Sequence, residues 1–273
     1  MNRLFVANKP KNISSNFFLK KIKRRYGVKK AGFSGTLDPF ASGVLIVAFG
    51  QFTKLFRFLD LTPKRYRATL WIGANSPTLD IEKVQSIKCL APFSMDSINI
   101  TAKSFIGDIE YLPPKYSAKR VDGKRAYDLA RDGLEFELKK IKSTIYEFEV
   151  LHYCHPFLTF EISISEGGYV RSIGAMFAKK LGFEGALSSL ERLSEGAFVY
   201  TGESSLNPLE FLSMEENKYL GDISDIEFGK KLDKHKFKNQ KNGIYKFIDE
   251  NFLAIIEIKD DEVNYLLNKV KLC

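Results

Sequence analysis

VLIVAFG, residues 44–50, is an unbroken apolar run that ends on a glycine. A strand with one wet face alternates apolar and polar residues, whereas a run with no polar break suits a strand covered on both faces. Such a strand demands a sizeable body around it. The 273 residues, 44% of them hydrophobic and 27% charged, suffice for one large domain or for one large and one small. The stretch just before it is of another kind. GFSGTLDPFASG (32–43) sets a single acid, Asp38, among glycines, small hydroxyls and a proline. Pro39 has no N–H and a fixed φ, which keeps Asp38 out of the helical region. Gly32, Gly35 and Gly43 permit unusual backbone conformations and let a ligand come close. On local grounds alone the segment reads as an Asp-Pro turn leading into a buried strand.

Other segments declare their periods. ISSNFFLKKIKRRYG (13–27) predicts a helix, with Ser14 or Ser15 as cap, Phe18 and Ile22 on one face and Gly27 as stop. Lys20, Lys21, Lys23, Arg24 and Arg25 continue into Lys29 and Lys30, giving seven cations directly before the Asp38 loop. That run is a solvated helix face or a phosphate-binding one. RYRATLWIG (65–73) alternates, with Tyr66, Ala68, Leu70 and Ile72 on one side; LTFEISIS (158–165) alternates likewise. A looser region runs to about residue 125, and a short helix should close at Gly133. Beyond Gly167–Gly168, YVRSIGAMFAKKLG puts Val170, Ile173, Gly174, Phe177 and Leu181 on one helical face before Gly182. From about residue 214 Lys, Asp, Glu and Asn accumulate, and 243–272 predicts short strands joined by polar turns. Strands broken by helices without regular βαβ alternation imply an α+β body. The expected division is a main domain at 1–213 and a small β-rich module at 214–273.

The charge is lopsided: 42 Lys and Arg against 33 Asp and Glu, a formal +9. That sign favours a polyanionic partner, because neutralised phosphates release counterions. Cys89, Cys154 and Cys273 are odd in number and far apart, which fits a reducing compartment and neither a disulfide framework nor a zinc site. His152 and His155 in HYCHP lack a second ligand pair, so a strand end is expected there and no metal. The first ten residues carry too short an apolar run for a signal peptide, and no stretch of about twenty apolar residues could span a membrane. There is no dinucleotide fingerprint and no P-loop. A cytoplasmic protein without a nucleotide cofactor is expected.

Four separated blocks, NKPKNISS (8–15), GFSGTLDPFASG (32–43), KRYRATLWIG (64–73) and SEGGYVRSIGAMFAKKLG (165–182), stand in an order and spacing that resemble the TruB family of tRNA pseudouridine synthases. PPKYSAKRVDGKRAYDLAR (113–131) and LSSLERL (187–193) add two more, so the resemblance covers most of residues 1 to about 195. It implies a mixed, mainly antiparallel sheet flanked by helices, followed by a small PUA-like module that contacts RNA. It also implies a reaction: the T-loop uridine at tRNA position 55 is isomerised in place, by a monomer that needs no cofactor or metal.

The same resemblance implies roles for individual residues. Asp38 matches the catalytic aspartate, acting as nucleophile or as charge stabiliser. Arg171 matches the arginine that pairs with it, and would offset the rise in pKa that burial brings. Tyr66 matches the tyrosine that stacks on the target base and is a candidate for taking its C5 proton. Tyr169 and Leu190 match positions lining the uracil pocket. Phe33 stands where many members have a histidine packed in the cleft against the RNA loop. It keeps a stacking face and loses the ring nitrogens. Glu166 replaces a common lysine, which removes a cation near the RNA and should weaken binding slightly. Lys9 and Pro10 match a block that supports the catalytic loop. Two rivals remain at this point: a non-catalytic RNA-binding or RNA-folding protein of the same fold, and a synthase acting on ribosomal RNA. A glycosidase fits poorly, since no second carboxylate stands out as its partner.

Overall fold

The computed structural model describes residues 1–272; Cys273 lies outside the described residues. The chain runs β1 (Arg3–Lys9), α1 (Ser15–Arg25), β2 (Ala31–Phe33), β3 (Ser42–Phe49) and β4 (Lys64–Ile72). A small ribbon of β5 (Ala74–Asn75) and β6 (Ser86–Ile87) follows, then α2 (Met95–Lys103) and β7 (Gly107–Tyr111). A second ribbon, β8 (Arg120–Val121) with β9 (Lys124–Arg125), leads into α3 (Ala126–Arg131). The main body closes with β10 (Ile141–Cys154), β11 (Phe157–Ile164), α4 (Val170–Lys180), β12 (Gly185–Glu195) and β13 (Phe198–Val199). After the short α5 (Ile223–Glu227) come β14 (Gly243–Ile248), β15 (Phe252–Lys259) and β16 (Glu262–Lys271).

One mixed sheet organises the body, in the order β1-β3-β12-β4-β11-β10-β7, with β2 on β3 and β13 on β12. The β3–β12 contact is parallel; the other pairs are antiparallel. The apolar run at 44–50 is covered on both faces. Val44, Ile46 and Ala48 join one buried cluster, while Val47 and Phe49 join another with Phe5, Ala7 and Ile22 of α1. Tyr66, Ala68, Leu70 and Ile72 alternate into the largest cluster, where Ile98 and Ala102 of α2 and Ile173 and Phe177 of α4 cover the sheet.

The helix ends follow local chemistry. Ser14 caps α1 by accepting from the Phe17 N–H, and Gly27 leaves it at φ +63. Gly182 ends the α4 segment at φ +87. The region read as loose to residue 125 contains α2, whose Ser94 cap and Ile98–Ala102 spacing are ordinary helix signals in a short segment. The C-terminal strands form a three-stranded antiparallel sheet in the order β14-β15-β16. Leu253, Ile255, Leu267 and Val270 of that sheet share a core with Leu4, Val6 and the β3 face, so burial of apolar area ties the two ends of the chain together.

Gly43 is where this packing leaves no latitude. Its φ is +108, and a Cβ there would lie 2.2 Å from the Arg192 carbonyl across the parallel β3–β12 contact. Gly43→Ala should therefore lose more than about 2 kcal/mol in urea unfolding, through strain and forced strand separation. A loss below about 0.5 kcal/mol would contradict that packing.

Candidate active site

The Asp38 loop is held from beneath by the chain that leads into α1. Ser15 Oγ accepts from the Leu37 N–H and donates to the Leu37 carbonyl, both at 3.0 Å. The Asn12 N–H donates to the Pro39 carbonyl at 2.7 Å. Lys9 is fully buried, and its ammonium donates to the carbonyls of Pro10 (2.9 Å), Ile13 (2.8 Å) and, more distantly, Pro39 (3.4 Å). These bonds satisfy backbone groups of turns that make few bonds of their own. Lys9 thus supports the loop from below, as the sequence reading expected.

Arg171, the second residue of α4, is buried and reaches across to that loop. Nη2 donates to Asp38 Oδ1 at 2.9 Å, and Nε lies 2.8 Å from Oδ2, although its N–H is not aligned on that oxygen. The same guanidinium donates to the carbonyls of Thr78 (2.7 Å) and Tyr116 (2.9 Å) and lies 3.3 Å from Asp80 Oδ2. Asp80 in turn accepts from the Thr78 hydroxyl at 2.6 Å and the Glu82 N–H at 3.0 Å. One cation sits between two carboxylates, in a geometry that fixes its plane. Asp38 differs from Asp80 in keeping 31% of its side chain open to the cleft, against 4%.

The surroundings push the Asp38 carboxyl above its usual range. Loss of water is the largest cause; the Arg171 charge opposes it, Asp80 adds to it, and Lys9 opposes it more weakly. The Tyr169 phenol is raised as well, first by burial and further by the Asp38 charge.

A cleft of about 330 Å³ opens over Asp38. Tyr66, Tyr169, Arg171 and Leu190 all line it, so five of the six site residues expected from the sequence meet in one place. Strand register explains part of this: Leu190 lies opposite Ala68, and Arg192 opposite Tyr66, on neighbouring β12 and β4. The α4 start is set by Tyr111, whose hydroxyl accepts from the Tyr169 N–H at 2.9 Å. Phe33 is the one not brought in. It packs half-buried against the α1 cluster and is absent from the cleft wall.

Two parts of the site escaped the sequence reading. Asp80 was detectable, since Thr78-Leu79-Asp80 repeats the Thr36-Leu37-Asp38 triplet. The second part is a buried ionic cluster at the cleft edge. Lys64 Nζ lies 2.7 Å from Glu195 Oε1, Ser34 donates to Oε2 at 2.7 Å, and Arg192 Nη2 lies 3.4 Å from it. A bulge in β12 between Arg192 and Ser194 puts Glu195 rather than Ser194 opposite Lys64. Lys64 shares the inward parity of Tyr66, which was its signal. Glu166, 68% exposed, reaches within 3.9 Å of Lys64.

A family description, TruB family pseudouridylate synthase (N terminal domain), matches residues 23–170. Among curated relatives, tRNA pseudouridine synthase B of Campylobacter curvus (strain 525.92) is 57% identical over 273 residues, covering all of both chains. The protein of the same name from Campylobacter jejuni (strain RM1221) is 48% identical, again over the whole of both. The fold is that of a chain in a Cbf5-Nop10-Gar1 complex, with a TM-score of 0.67 at 20% identity over 98% of this chain and 84% of that one. The fold and site define a pseudouridine-synthase architecture. This chain belongs to the TruB family.

Lys9 gives the loop a pH signature. Burial lowers its pKa from 10.5 to about 8, with the Asp38 charge opposing and Arg192 adding. A depressed folded pKa contributes stability above the unfolded value, and that stability is lost as pH falls through the folded one. The stability gap between wild type and Lys9→Met should therefore widen between pH 7.5 and pH 10, by on the order of 2 kcal/mol in parallel urea titrations. A gap that narrows would mean the ammonium is not desolvated.

Proposed function

We propose that this chain isomerises a uridine of tRNA to pseudouridine, with the T-loop uridine at position 55 as target and Asp38 as the catalytic carboxylate. The names of relatives 48–57% identical over their full length support the reaction and the substrate class. The residue assignment is carried by one observation: a carboxylate held by Arg171 but open to a cleft that Tyr66, Tyr169 and Leu190 line.

The chemistry follows from that arrangement. The target nucleotide leaves the stack and enters the cleft, at a cost of a few kcal/mol offset by stacking on aromatic and aliphatic side chains. Asp38 meets the ribose as the N-glycosidic bond breaks, as nucleophile or as counter-charge. Arg171 donates to Asp38 Oδ1 and keeps its charge close to Oδ2, so little reorganisation accompanies the developing charge. The detached uracil turns between Tyr66, Tyr169 and Leu190; C5 bonds to C1′, displacing Asp38 if it has bonded there, the C5 proton leaves with Tyr66 as its candidate acceptor, and N1 takes up a proton from solvent. Nothing is oxidised or hydrolysed overall, so the reading requires neither metal nor nucleotide. Phe33 offers its half-exposed ring to the RNA loop from outside the cleft wall. In the same reading residues 1–213 are the catalytic domain of a cytoplasmic monomer and 214–273 the PUA-like module. Lys218, Lys238 and Lys241, beside Glu216 and a Lys234 paired with Asp261, line a groove on that module that backbone phosphates would contact in this reading.

Purified protein incubated with a T-arm stem-loop carrying tritium at uracil C5 should release tritium to water. Asp38→Asn should reduce the single-turnover rate by more than about 10³-fold. Arg171→Lys, which keeps the charge and loses the planar fork, should reduce it by about 10²-fold. No release from the wild type would end the proposal; release that survives Asp38→Asn would remove Asp38 from its role.

A further inference from the structure

The positive charge of the chain has an address. Residues 1–37 contain ten of the 42 Lys and Arg and none of the 33 Asp and Glu, Asp38 being the first carboxylate in the sequence. The remaining 236 residues therefore carry 32 cations against 33 acids and are close to neutral. The formal +9 belongs to the segment that ends at the candidate catalytic loop.

The structure shows what that segment does with its charge. Phe18, Leu19 and Ile22 turn the apolar face of α1 inward onto β1 and β3. Lys20, Lys21, Arg24, Lys29 and Lys30 are left exposed on the outside. Among the described residues none of these five has a carboxylate within 4 Å; Arg25, paired with Glu203, is the one α1 cation that does. Lys20–Arg24 and Lys21–Arg25 are like-charge pairs at four-residue spacing, which weaken a helix unless a counter-charge arrives from elsewhere. A helix macrodipole rewards the cations of the last turn only, and Lys20 and Lys21 lie before it. With its apolar face already buried, α1 lacks the free hydrophobic stripe that a membrane-surface helix inserts.

The face is also mechanically joined to the site. Ser15, the first residue of α1, is bonded twice to Leu37, and the Asn12 N–H is bonded to Pro39. The helix of 11 residues extends about 16 Å from that anchor, a length that spans several phosphates of an RNA helix.

We infer that the outer face of α1 and the turn after it, through Lys20, Lys21, Arg24, Lys29 and Lys30, is a docking surface for the phosphate backbone of the RNA whose nucleotide enters the Asp38 cleft. This rests on the isomerase reading above and adds to it where, outside the cleft, affinity arises. Contacts of this kind are sequence-independent and salt-dependent, so they position the RNA while the cleft selects the base.

The test is a salt titration of binding to a full-length tRNA transcript, between 50 and 300 mM KCl. The triple variant Lys20→Gln/Lys21→Gln/Arg24→Gln should bind about tenfold or more weaker at the lowest salt. The slope of log K against log salt should fall by about 2 to 3, near 0.9 for each lost phosphate contact. Lys20→Arg/Lys21→Arg, which keeps the charge, should retain wild-type affinity and slope. Circular dichroism melting checks that the triple variant stays folded. An unchanged slope in a folded triple variant overturns the inference. So does wild-type binding to phosphatidylglycerol vesicles that is tighter than binding to tRNA and is lost in the triple variant. Tritium release by the wild type, measured in the same buffer, reports on the isomerase reading separately: the slope decides the docking surface whether or not release occurs.

Discussion

Arg171 lies buried between the buried Asp80 and the cleft-facing Asp38, and the rest of the site is arranged around the cost of holding these charges together away from bulk water. An isolated charge would be costly to bury there. Together they are held by the carbonyls of Thr78 and Tyr116, the Thr78 hydroxyl and the Glu82 N–H, so the guanidinium has few unused donors and one orientation. A carboxyl whose folded pKa lies above its unfolded value contributes stability while protonated, and that contribution is lost as pH rises past 3.8 through the raised value. Ionising Asp38 is therefore a cost to the fold, set first by its loss of water and offset in part by the Arg171 charge.

That cost is met by rigidity elsewhere. The Asp38 loop makes few backbone bonds of its own and borrows them from Lys9, Asn12 and Ser15. The parallel β3–β12 contact, possible only with glycine at 43, sets the loop against the strand that carries Leu190. The bulge at Arg192–Ser194 then turns Glu195 toward Lys64, which neutralises a buried lysine beside the cleft. Loop, strand and helix meet within a cleft of about 330 Å³, near the lower end of ligand-site volumes.

Much of this was legible in the residues, for physical reasons that differ from place to place. The 44–50 run and the alternation at 65–73 announced themselves because period and burial coincide there. Gly27 and Gly182 marked helix ends because a positive φ suits little else. LSSLERL could be matched as a block, yet its local pattern gives no sign of the central strand β12. Leucines three apart beside Glu and Arg suit a helix equally well, and only pairing with β4 and β3 decides. Asp80 hid because its loop is distant in sequence from Arg171, though its Thr-Leu-Asp triplet repeats that of Asp38. Phe33 was expected in the cleft and sits beside α1, since a three-residue edge strand does not reveal which neighbour its ring will choose.

Arg171 holds the partly open Asp38 carboxyl while burial pushes its pKa up, and the Arg171 charge opposes that rise. Carbon-13 spectroscopy of aspartate carboxyls, with the Asp38 signal assigned by its loss in Asp38→Asn, reads this directly. The expected result is a carboxylate signal at pH 7, a midpoint above the ordinary aspartate value, and a further upward move of that midpoint in Arg171→Gln. A protonated Asp38 at pH 7 in the wild type, or a midpoint indifferent to Arg171, would contradict the account.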